Sequence, residues 1–462
     1  MSAFATDART THAAGVERLL ASYWAVPPGS PVRLAKRTSN LFRSRAATDA
    51  PGLDTSGLTQ VIGVDVDART ADVAGMCTYE DLVAATLPFG LAPLVVPQLK
   101  TITLGGAVTG LGIESTSFRN GLPHESVLEM DILTGAGELV TVSRGDTGEH
   151  AELFRAFPNS YGTLGYAVRL RIELEPVLPF VELTHLRFHR LDDLVAAMAE
   201  IVGSAALDGV AVEYLDGVVF SADEAYLCLG RRTAASGPVS DYTRQRIFYR
   251  SMQHDDGAVH DRLTTLDYLW RWDTDWFWCS EAFGAQHPLV RRFWPRRLRR
   301  SRSYASLMRV ERRYDLGNRI ERLKGLPPRE RVIQDVEVPI ERCAEFLDWF
   351  LANVPIEPIW LCPLRLRGDD AWPLYPMEPH RSYVNVGFWS TVPVGAVEGE
   401  TNRRIEREVA GLDGHKSLYS DAFYSRDEFD DLYGGGAYRA AKARYDPDSR
   451  LLDLYEKAVQ RR

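Results

Sequence analysis

The sequence has little cysteine and no paired cysteine motif. Its five cysteines, at positions 77, 228, 279, 343 and 362, are scattered along the chain. An odd number without a CxxC pair argues against a disulfide framework and against a zinc site, and it indicates reduced thiols in the cytosol. The composition therefore predicts a protein without a bound metal.

Long hydrophobic runs and surplus positive charge are also missing. No run of about 18 apolar residues occurs, so no segment is expected to span a membrane. The first residues, MSAFATDARTTHAAG, lack the apolar centre of a signal peptide. The formal net charge of −9 gives no reason to expect a nucleic-acid partner. Lysine is scarce, and arginine supplies most of the 54 basic residues, which suggests a GC-rich source.

The common nucleotide-binding motifs are absent, and a different glycine-rich stretch stands at residues 97–121. Neither GxxxxGK[ST] nor GxGxxG occurs. The stretch reads PQLKTITLGGAVTGLGIESTSFRNG, with glycine at 105, 106, 110, 112 and 121 and many hydroxyl side chains. A backbone with few side chains can approach a phosphate-bearing ligand and bind it through main-chain N–H groups. A pair of glycine-rich turns between strands is the alternative.

The flanks of this stretch resemble a known family. The motifs are TITLGGAVTGLGIESTSFRNGL (101–122), ELFRAFPNSYGTLGYAVRLRIELEP (152–176), EPIWLCPLR (357–365) and LYSDAFYSRDEFDDLY (418–433). Together they resemble flavoproteins of the vanillyl-alcohol-oxidase type, which have a PCMH-type FAD-binding domain, and within them the sterol Δ24-reductase branch. The sequence looks most similar to the actinobacterial type that reduces 10-methylene acyl chains to the 10-methyl chains of tuberculostearic acid.

Length and pattern agree with two or three domains. At 462 residues, with 45% apolar and 25% charged residues, the chain can bury a large core. Alternating and helical patterns predict a helix at 8–24, a hairpin around 135–137, strands at 332–338 and 383–389, and a helix at 241–252. The predicted fold class is α+β: a two-lobed FAD-binding domain at 1–177, a substrate or cap domain with an antiparallel sheet at 178–410, and a closing segment at 411–462 that returns to the flavin site.

The resemblance implies a set of cofactor contacts. In the glycine stretch and the later tight turn they are Leu104, Gly105, Gly106, Thr109, Gly112, Ile113, Ser115, Ser117, Gly165 and Ile172. The family places a glycine-rich pyrophosphate loop near residues 32–45; this chain has instead Lys36, Arg37, Thr38, Ser39 and Asn40, which would act by charge and hydroxyl groups. A solvated basic strand edge is the alternative there. Since His124 is the nearest histidine, the FAD is expected to be non-covalent.

Tryptophan and arginine are concentrated between residues 266 and 302. This block holds Trp276, Trp278 and Trp294, and arginine fills seven of the positions 291–302, among them Arg296 and Arg297. Indole rings favour the headgroup level of a bilayer, and arginine pairs with lipid phosphate. The block predicts peripheral contact with the inner face of the cell membrane. A core tryptophan cluster followed by a solvated basic helix is the alternative.

The resemblance implies reduction of an isolated lipid C=C bond, which needs a hydride, a proton and an apolar slot. Candidate acids are Glu114, Tyr419, Asp421 and Tyr424, although Glu114 could instead pair with Arg119. Some relatives have a lysine where this chain has Ala422. Trp360, Cys362 and Trp389 are candidates for the substrate slot, with core packing as the alternative.

The leading hypothesis is an FAD-dependent, NADPH-using reductase of 10-methylene acyl chains on phospholipid. A sterol Δ24-reductase, an oxidase of a small alcohol or sugar, and a non-catalytic lipid-binding adaptor are the alternatives. The expected partners are the lipid substrate, the membrane surface and the methyltransferase that makes the methylene lipid.

Overall fold

The computed structural model describes residues 3–36, 42–43, 52–314 and 316–461. Within these ranges the strands form two large antiparallel sheets, and helices lie against each of them. The predicted α+β class is thereby confirmed. Arg37, Thr38, Ser39 and Asn40 lie outside the described residues.

The first sheet lies in the first part of the chain. The elements up to its last strand are α1 Ala3–Trp24, β1 Arg33–Leu34, β2 Gly52–Leu53, β3 Val61–Asp65, β4 Thr70–Ala74, α2 Tyr79–Thr86, β5 Leu91–Pro93, α3 Leu104–Thr109, α4 Ser117–Asn120, β6 Val127–Thr134, β7 Leu139–Ser143, α5 Ala151–Ala156 and β8 Gly165–Pro176. The strand order is β3-β4-β8-β6-β7, and β5 pairs with β8. Val73 of β4 and Met130 of β6 both pair with Leu170, so β8 lies at the centre.

The second sheet takes its strands from a longer stretch. Its elements are β9 Phe180–Phe188, α6 Leu191–Ser204, β10 Ala206–Leu207, β11 Val210–Ala211, β12 Tyr214–Ser221, β13 Glu224–Thr233, β14 Ala258–Thr264, α7 Thr265–Leu269, α8 Pro288–Phe293, α9 Ser301–Tyr314, α10 Leu316–Leu323, β15 Arg329–Pro339, α11 Cys343–Asn353, β16 Ile359–Arg365, β17 Ser382–Pro393, α12 Glu400–Gly411 and β18 His415–Lys416. The strand order is β14-β9-β13-β12-β16-β17-β15-β18.

The second sheet is covered on both faces. Because side chains alternate along a strand, Val336 and Val386 point to one face, where they pack in a core with Phe346 of α11 and Ile405 of α12. Trp360 and its neighbours point to the other face and share a core with the first sheet. The two sheets therefore meet at this second face.

The last helices, α13 Arg426–Leu432, α14 Gly435–Tyr445 and α15 Leu454–Ala458, return to the first sheet. The Lys442 ammonium donates to the Thr163 carbonyl at 2.8 Å, and the Ala136 N–H donates to the Tyr445 carbonyl at 2.9 Å. The predicted domain limits at 177 and 410 stay a prediction; the second sheet takes its last strand from His415–Lys416.

The predicted helix at 241–252 is wrong, because only a 3₁₀ turn forms there, at Tyr249–Met252. The carbonyls of Tyr242 and Arg246 accept hydrogen bonds from the Arg291 guanidinium, each at 2.9 Å, and the Arg244 carbonyl accepts another at 2.7 Å. An α-helix would use these carbonyls for its own hydrogen bonds. A distant arginine thus holds the segment in an irregular conformation.

Candidate functional site

Aromatic rings surround Tyr419 where the two sheets meet. This Tyr419 cluster consists of Phe42, Trp276, Phe277, Trp278, Trp360, Trp389 and Tyr419. The Phe277 and Trp389 ring centres are 4.5 Å apart, and those of Phe42 and Tyr419 are 5.8 Å apart. The Trp389 indole N–H donates to the Tyr419 hydroxyl at 2.9 Å. The cluster is an apolar surface that carries one fixed hydroxyl group.

A carboxyl group stands behind that hydroxyl. Asp335 of β15 accepts a hydrogen bond from Asn385 of β17 at 3.0 Å and another from Tyr419. Burial raises the pKa of Asp335 to about 6, although both hydrogen bonds oppose the rise. Burial also raises the pKa of Tyr419 well above its ordinary value. Asp335, Tyr419 and Trp389 are each only half-buried, so solvent reaches this acid and its hydroxyl neighbour.

Gly387 of β17 makes room for the acid. A methyl group at Gly387 would lie 2.7 Å from the edge of the Trp389 ring and inside the contact distance of the Asp335 carboxylate. The missing side chain therefore lets Asp335 and Trp389 lie side by side beneath Tyr419.

We expect Gly387→Ala to lower the free energy of unfolding by about 1–3 kcal/mol, because the added methyl overpacks this site. Gly203→Ala is the matched control, since a methyl group at that helical glycine meets nothing within 4 Å. The control should gain up to about 1 kcal/mol from helix propensity. Urea unfolding measures both, and equal stability of the two variants would contradict the crowding at Gly387.

Two bulky members of the cluster hold an unusual backbone conformation. Trp276 and Phe277 have φ angles of 49° and 56°. Left-handed backbone costs energy for large side chains and tends to persist at functional sites, where the surroundings enforce it. The turn costs stability and places the Phe277 ring against Trp389.

The predicted cofactor contacts in the glycine stretch are packed against the protein itself. A methyl at Gly105 would lie 2.6 Å from the Gly75 carbonyl oxygen, and one at Gly112 would lie 2.8 Å from the Pro97 ring. A methyl at Gly106 would meet only Thr103, whose hydroxyl accepts a hydrogen bond from the Gly106 N–H as the N-cap of α3. Close packing of elements thus explains Gly105 and Gly112, and Gly106 is the more open position.

Most of the predicted hydroxyl and apolar contacts are already engaged. Thr109 donates to the Gly105 carbonyl at 2.7 Å, Ser117 accepts from the Glu114 N–H at 3.1 Å, and Ser115 lies 2.9 Å from the Tyr268 hydroxyl. The other predicted positions lie in the core or in backbone pairing: Leu104 and Ile172 are buried, Ile113 accepts from Gln98, and Gly165 pairs with Thr134. Lys36 is exposed. Their roles as cofactor contacts stay a prediction.

Glu114 belongs to a buried ion cluster rather than pairing with Arg119. One nitrogen of the Arg271 guanidinium lies 2.7 Å from Glu114 and 2.8 Å from Asp216, and all three side chains are buried. Arg119 instead pairs with Glu175 at 2.9 Å. Burial raises the pKa of Glu114, and the Arg271 charge opposes the rise. The cluster joins a loop of the first half of the chain to β12 of the second sheet.

The other predicted acids have different neighbours, and their catalytic roles stay a prediction. Asp421 lies 4.0 Å from the Arg461 guanidinium, and its backbone carbonyl accepts from Lys416. The Tyr424 ring packs 6.0 Å from the Tyr433 ring in the core. His124 is buried, with its ring centre 4.4 Å from that of Trp372, and burial lowers its pKa to about 3.

The tryptophan and arginine block divides between core and surface. Trp276 and Trp278 are buried in the Tyr419 cluster, so neither is available to a membrane. Trp294 is half-buried, and Trp360 donates to Asp216 at 3.3 Å. Arg297 is exposed, and Arg296 is exposed and pairs with Asp241 at 2.6 Å. The block is a core cluster followed by a basic surface segment.

Sequence analysis did not find Asp335, Asn385, Asp216 or Arg271. Asp335 alternates with valines in VIQDVEV (332–338), a pattern typical of a strand with one solvated face. The signal that could have revealed it is a pair of acids, Asp335 and Glu337, in an otherwise apolar strand. Arg271 is one of many arginines in the block at 266–302, and nothing in the sequence distinguishes it from the exposed ones.

Comparison with known proteins agrees with the implied cofactor. A family model described as an FAD binding domain matches residues 20–143. A Delta(24)-sterol reductase homologue of Caenorhabditis elegans is 23% identical over 88% of this chain and 79% of its own. The Delta(24)-sterol reductases of Homo sapiens and Arabidopsis thaliana are 24% and 25% identical, over 87% and 89% of this chain and 76% and 77% of their own. The chain is a distant relative of these reductases.

The residues around the Tyr419 cluster fit a flavin. Within the described part of the chain, the buried Ser160 and Ser420 hydroxyls and the Trp278 indole N–H have no hydrogen-bond partner. Buried polar groups are normally paired; Trp278 belongs to the cluster and Ser420 follows Tyr419 in the chain. They would hold a flat ligand with several polar atoms, such as the flavin ring.

Among the helices of the described residues, none combines the length and the low polarity that a bilayer crossing requires.

Proposed function

We propose that this chain, an FAD-dependent oxidoreductase distantly related to the Delta(24)-sterol reductases, reduces an isolated C=C bond in a lipid. The substrate that we propose is a 10-methylene acyl chain on phospholipid, and NADPH is the electron donor. The observation that carries the proposal is the Tyr419 hydroxyl, held by Trp389 and backed by the Asp335 carboxyl on an otherwise aromatic surface.

Reduction of an isolated alkene needs a proton donor on an apolar surface, which the Tyr419–Asp335 pair and the aromatic rings provide. Such an alkene has no carbonyl group to polarise it, so one carbon must take a proton while the other takes a hydride. FAD, when bound and reduced by NADPH, would supply the hydride. Tyr419 gives its proton to the alkene carbon. Protonated Asp335, which then donates along their shared hydrogen bond, returns a proton to the Tyr419 oxygen. The rings of Phe277, Trp360 and Trp389 form an apolar wall and offer π faces to the cationic carbon.

A sterol side chain is the second candidate substrate. It is favoured by relatives named for reduction of a sterol, which align over 87–89% of this chain. A methylene acyl chain and a trisubstituted sterol side chain both develop positive charge on a tertiary carbon. One acid on one aromatic surface can serve either, so the choice between them needs an experiment.

The test is anaerobic turnover of the purified protein with FAD and NADPH, offered either a 10-methylene phospholipid or a Δ24 sterol. We expect NADPH consumption and an acyl product heavier by two hydrogens in lipid mass spectrometry. Reduction of the sterol alone would replace the first substrate with the second. In a separate aerobic assay, oxygen uptake with an alcohol or sugar would indicate an oxidase. A protein that binds no FAD would overturn the proposal.

The same assay in cells includes the proposed partner. Expression together with a methyltransferase that makes 10-methylene lipids should convert those lipids to 10-methyl lipids. The matched control is the Tyr419→Phe variant in the same cells, which should leave the methylene lipids in place. Unchanged methylene lipids with the unmodified protein would count against the acyl substrate.

A further inference from the structure

The surface formed by α8, α9, α10 and their connections exposes an unusual number of apolar side chains. We call it the α8–α10 surface. Phe293 is 79% exposed and Leu323 is 88% exposed. The other exposed large apolar side chains in this stretch are Leu289, Val290, Leu298, Leu307, Val310, Tyr314 and Leu326. Large groups of exposed apolar side chains on a protein surface mark a binding site for another protein or a membrane.

The exposed side chains on α9 follow the helix repeat. Leu307, Val310 and Tyr314 are three and four residues apart, so they lie on one face. The same helix buries Ser301 and Tyr304 against the protein. Helix α9 thus has one apolar side turned inward and a second apolar stripe turned to solvent.

The same stretch is strongly basic. Residues 289–326 contain 13 arginine and lysine residues and three acidic residues, a difference of +10, on a chain whose net charge is −9. Arg291 and Arg299 are buried. The exposed basic residues are Arg292, Arg296, Arg297, Arg302, Arg309, Arg319, Arg322 and Lys324. Each basic residue near an anionic bilayer contributes about 1 kcal/mol of attraction, which sets this surface apart from an ordinary protein interface.

The surface lies over the Tyr419 cluster. Tyr304 of α9 packs with Trp276 in one small core that also contacts Phe42. The Phe42 ring is 5.4 Å from Trp276 and 5.8 Å from Tyr419. A continuous row of aromatic rings therefore runs from beneath α9 to the proposed acid.

We propose that the α8–α10 surface docks on an anionic phospholipid bilayer. The apolar side chains enter the headgroup region, and the arginines pair with lipid phosphates. The inference of bilayer binding depends only on the exposed residues. The further idea that a lipid passes from this surface to the acid at the Tyr419 cluster rests on the proposed function.

Vesicle flotation tests the docking. The protein should float with vesicles that contain phosphatidylglycerol and much less with pure phosphatidylcholine, and added salt should weaken the binding. We expect the double variant Phe293→Asp, Leu323→Asp to lose at least about tenfold in vesicle affinity. The matched control is Phe89→Asp, Val397→Asp, which makes the same kind of change at exposed apolar residues elsewhere and should float normally.

Three outcomes are informative. Equal flotation of both double variants would overturn the proposal. A smaller mass in light scattering for Phe293→Asp, Leu323→Asp, without vesicle binding by the unmodified protein, would assign the surface to a second copy of the chain. Turnover on detergent-dispersed lipid separates this inference from the proposed function: a protein that floats but reduces no lipid keeps the docking surface and loses the reductase.

Discussion

Asp335→Asn lowers lipid reduction by about 10²–10⁴-fold, if the half-buried Asp335 carboxyl supplies the proton that Tyr419 holds. The asparagine keeps the size of the side chain and can still accept the Tyr419 hydrogen bond, but it has no proton to give. Tyr419→Phe should have a similar effect. The measurement follows the visible absorbance of the flavin in two separate steps. NADPH reduces the flavin and removes the absorbance, and added lipid reoxidises the flavin and restores it. Only the lipid step should slow.

The chain offers a matched control for this pair. On the edge strand β14, Asp261 accepts a hydrogen bond from Tyr242, an equivalent carboxyl–phenol pair away from the Tyr419 cluster. Asp261→Asn and Tyr242→Phe should leave the lipid step within about twofold of the unmodified protein, since neither group faces the acid site. A loss of the lipid step in the controls as large as in Asp335→Asn would show a general structural effect.

The pH profile gives an independent expectation. The reactive form of Asp335 is protonated, and burial raises its pKa to about 6. The lipid step should therefore run at its full rate below that pH and fall about tenfold per pH unit above it. The remaining rate of Asp335→Asn should not depend on pH in this window. A rate that rises with pH through 6 would contradict Asp335 as the acid.

Local structure was predictable where a local interaction decides it. The Thr78 hydroxyl accepts from the Asp81 N–H and caps α2, and a threonine just before an acidic first turn is a local signal of a helix start. The hairpin of β6 and β7 forms around Gly137, whose φ of 84° needs glycine. The partners in these contacts are only a few residues apart in the sequence, so the local sequence is enough to predict them.

The candidate site depends on contacts between distant segments. Asp335 meets Tyr419 across 84 positions of sequence, and Arg271 meets Glu114 across 157. An acid that alternates with valines predicts a solvated face, unless a second sheet covers that face. The covering layer comes from another part of the chain, and one sequence has no local signal for it. The resemblance supplied Tyr419 but not the carboxyl behind it.

Arg271→Met should be the most destabilising of these substitutions, with a loss of about 3–5 kcal/mol in the free energy of unfolding. The guanidinium is fully buried and bonds Glu114 and Asp216 through the same nitrogen. Methionine fills a similar volume but leaves two buried carboxyl groups side by side without a cation. Because Glu114 lies in the part of the chain that forms the first sheet and Asp216 lies on β12 of the second sheet, the loss acts on the junction that holds the Tyr419 cluster.

Urea unfolding measures the effect, and Arg231→Met is the matched control. Arg231 also pairs with a glutamate, Glu182, at 2.7 Å, but its side chain is 52% exposed. An exposed pair contributes at most about 1 kcal/mol, so the control should unfold close to the unmodified protein. Adding Glu114→Gln to Arg271→Met removes one of the two unpaired charges and should recover part of the loss. If Arg271→Met unfolds like Arg231→Met, the buried ion cluster does not hold the two halves together, and packing of the aromatic rings must do so instead.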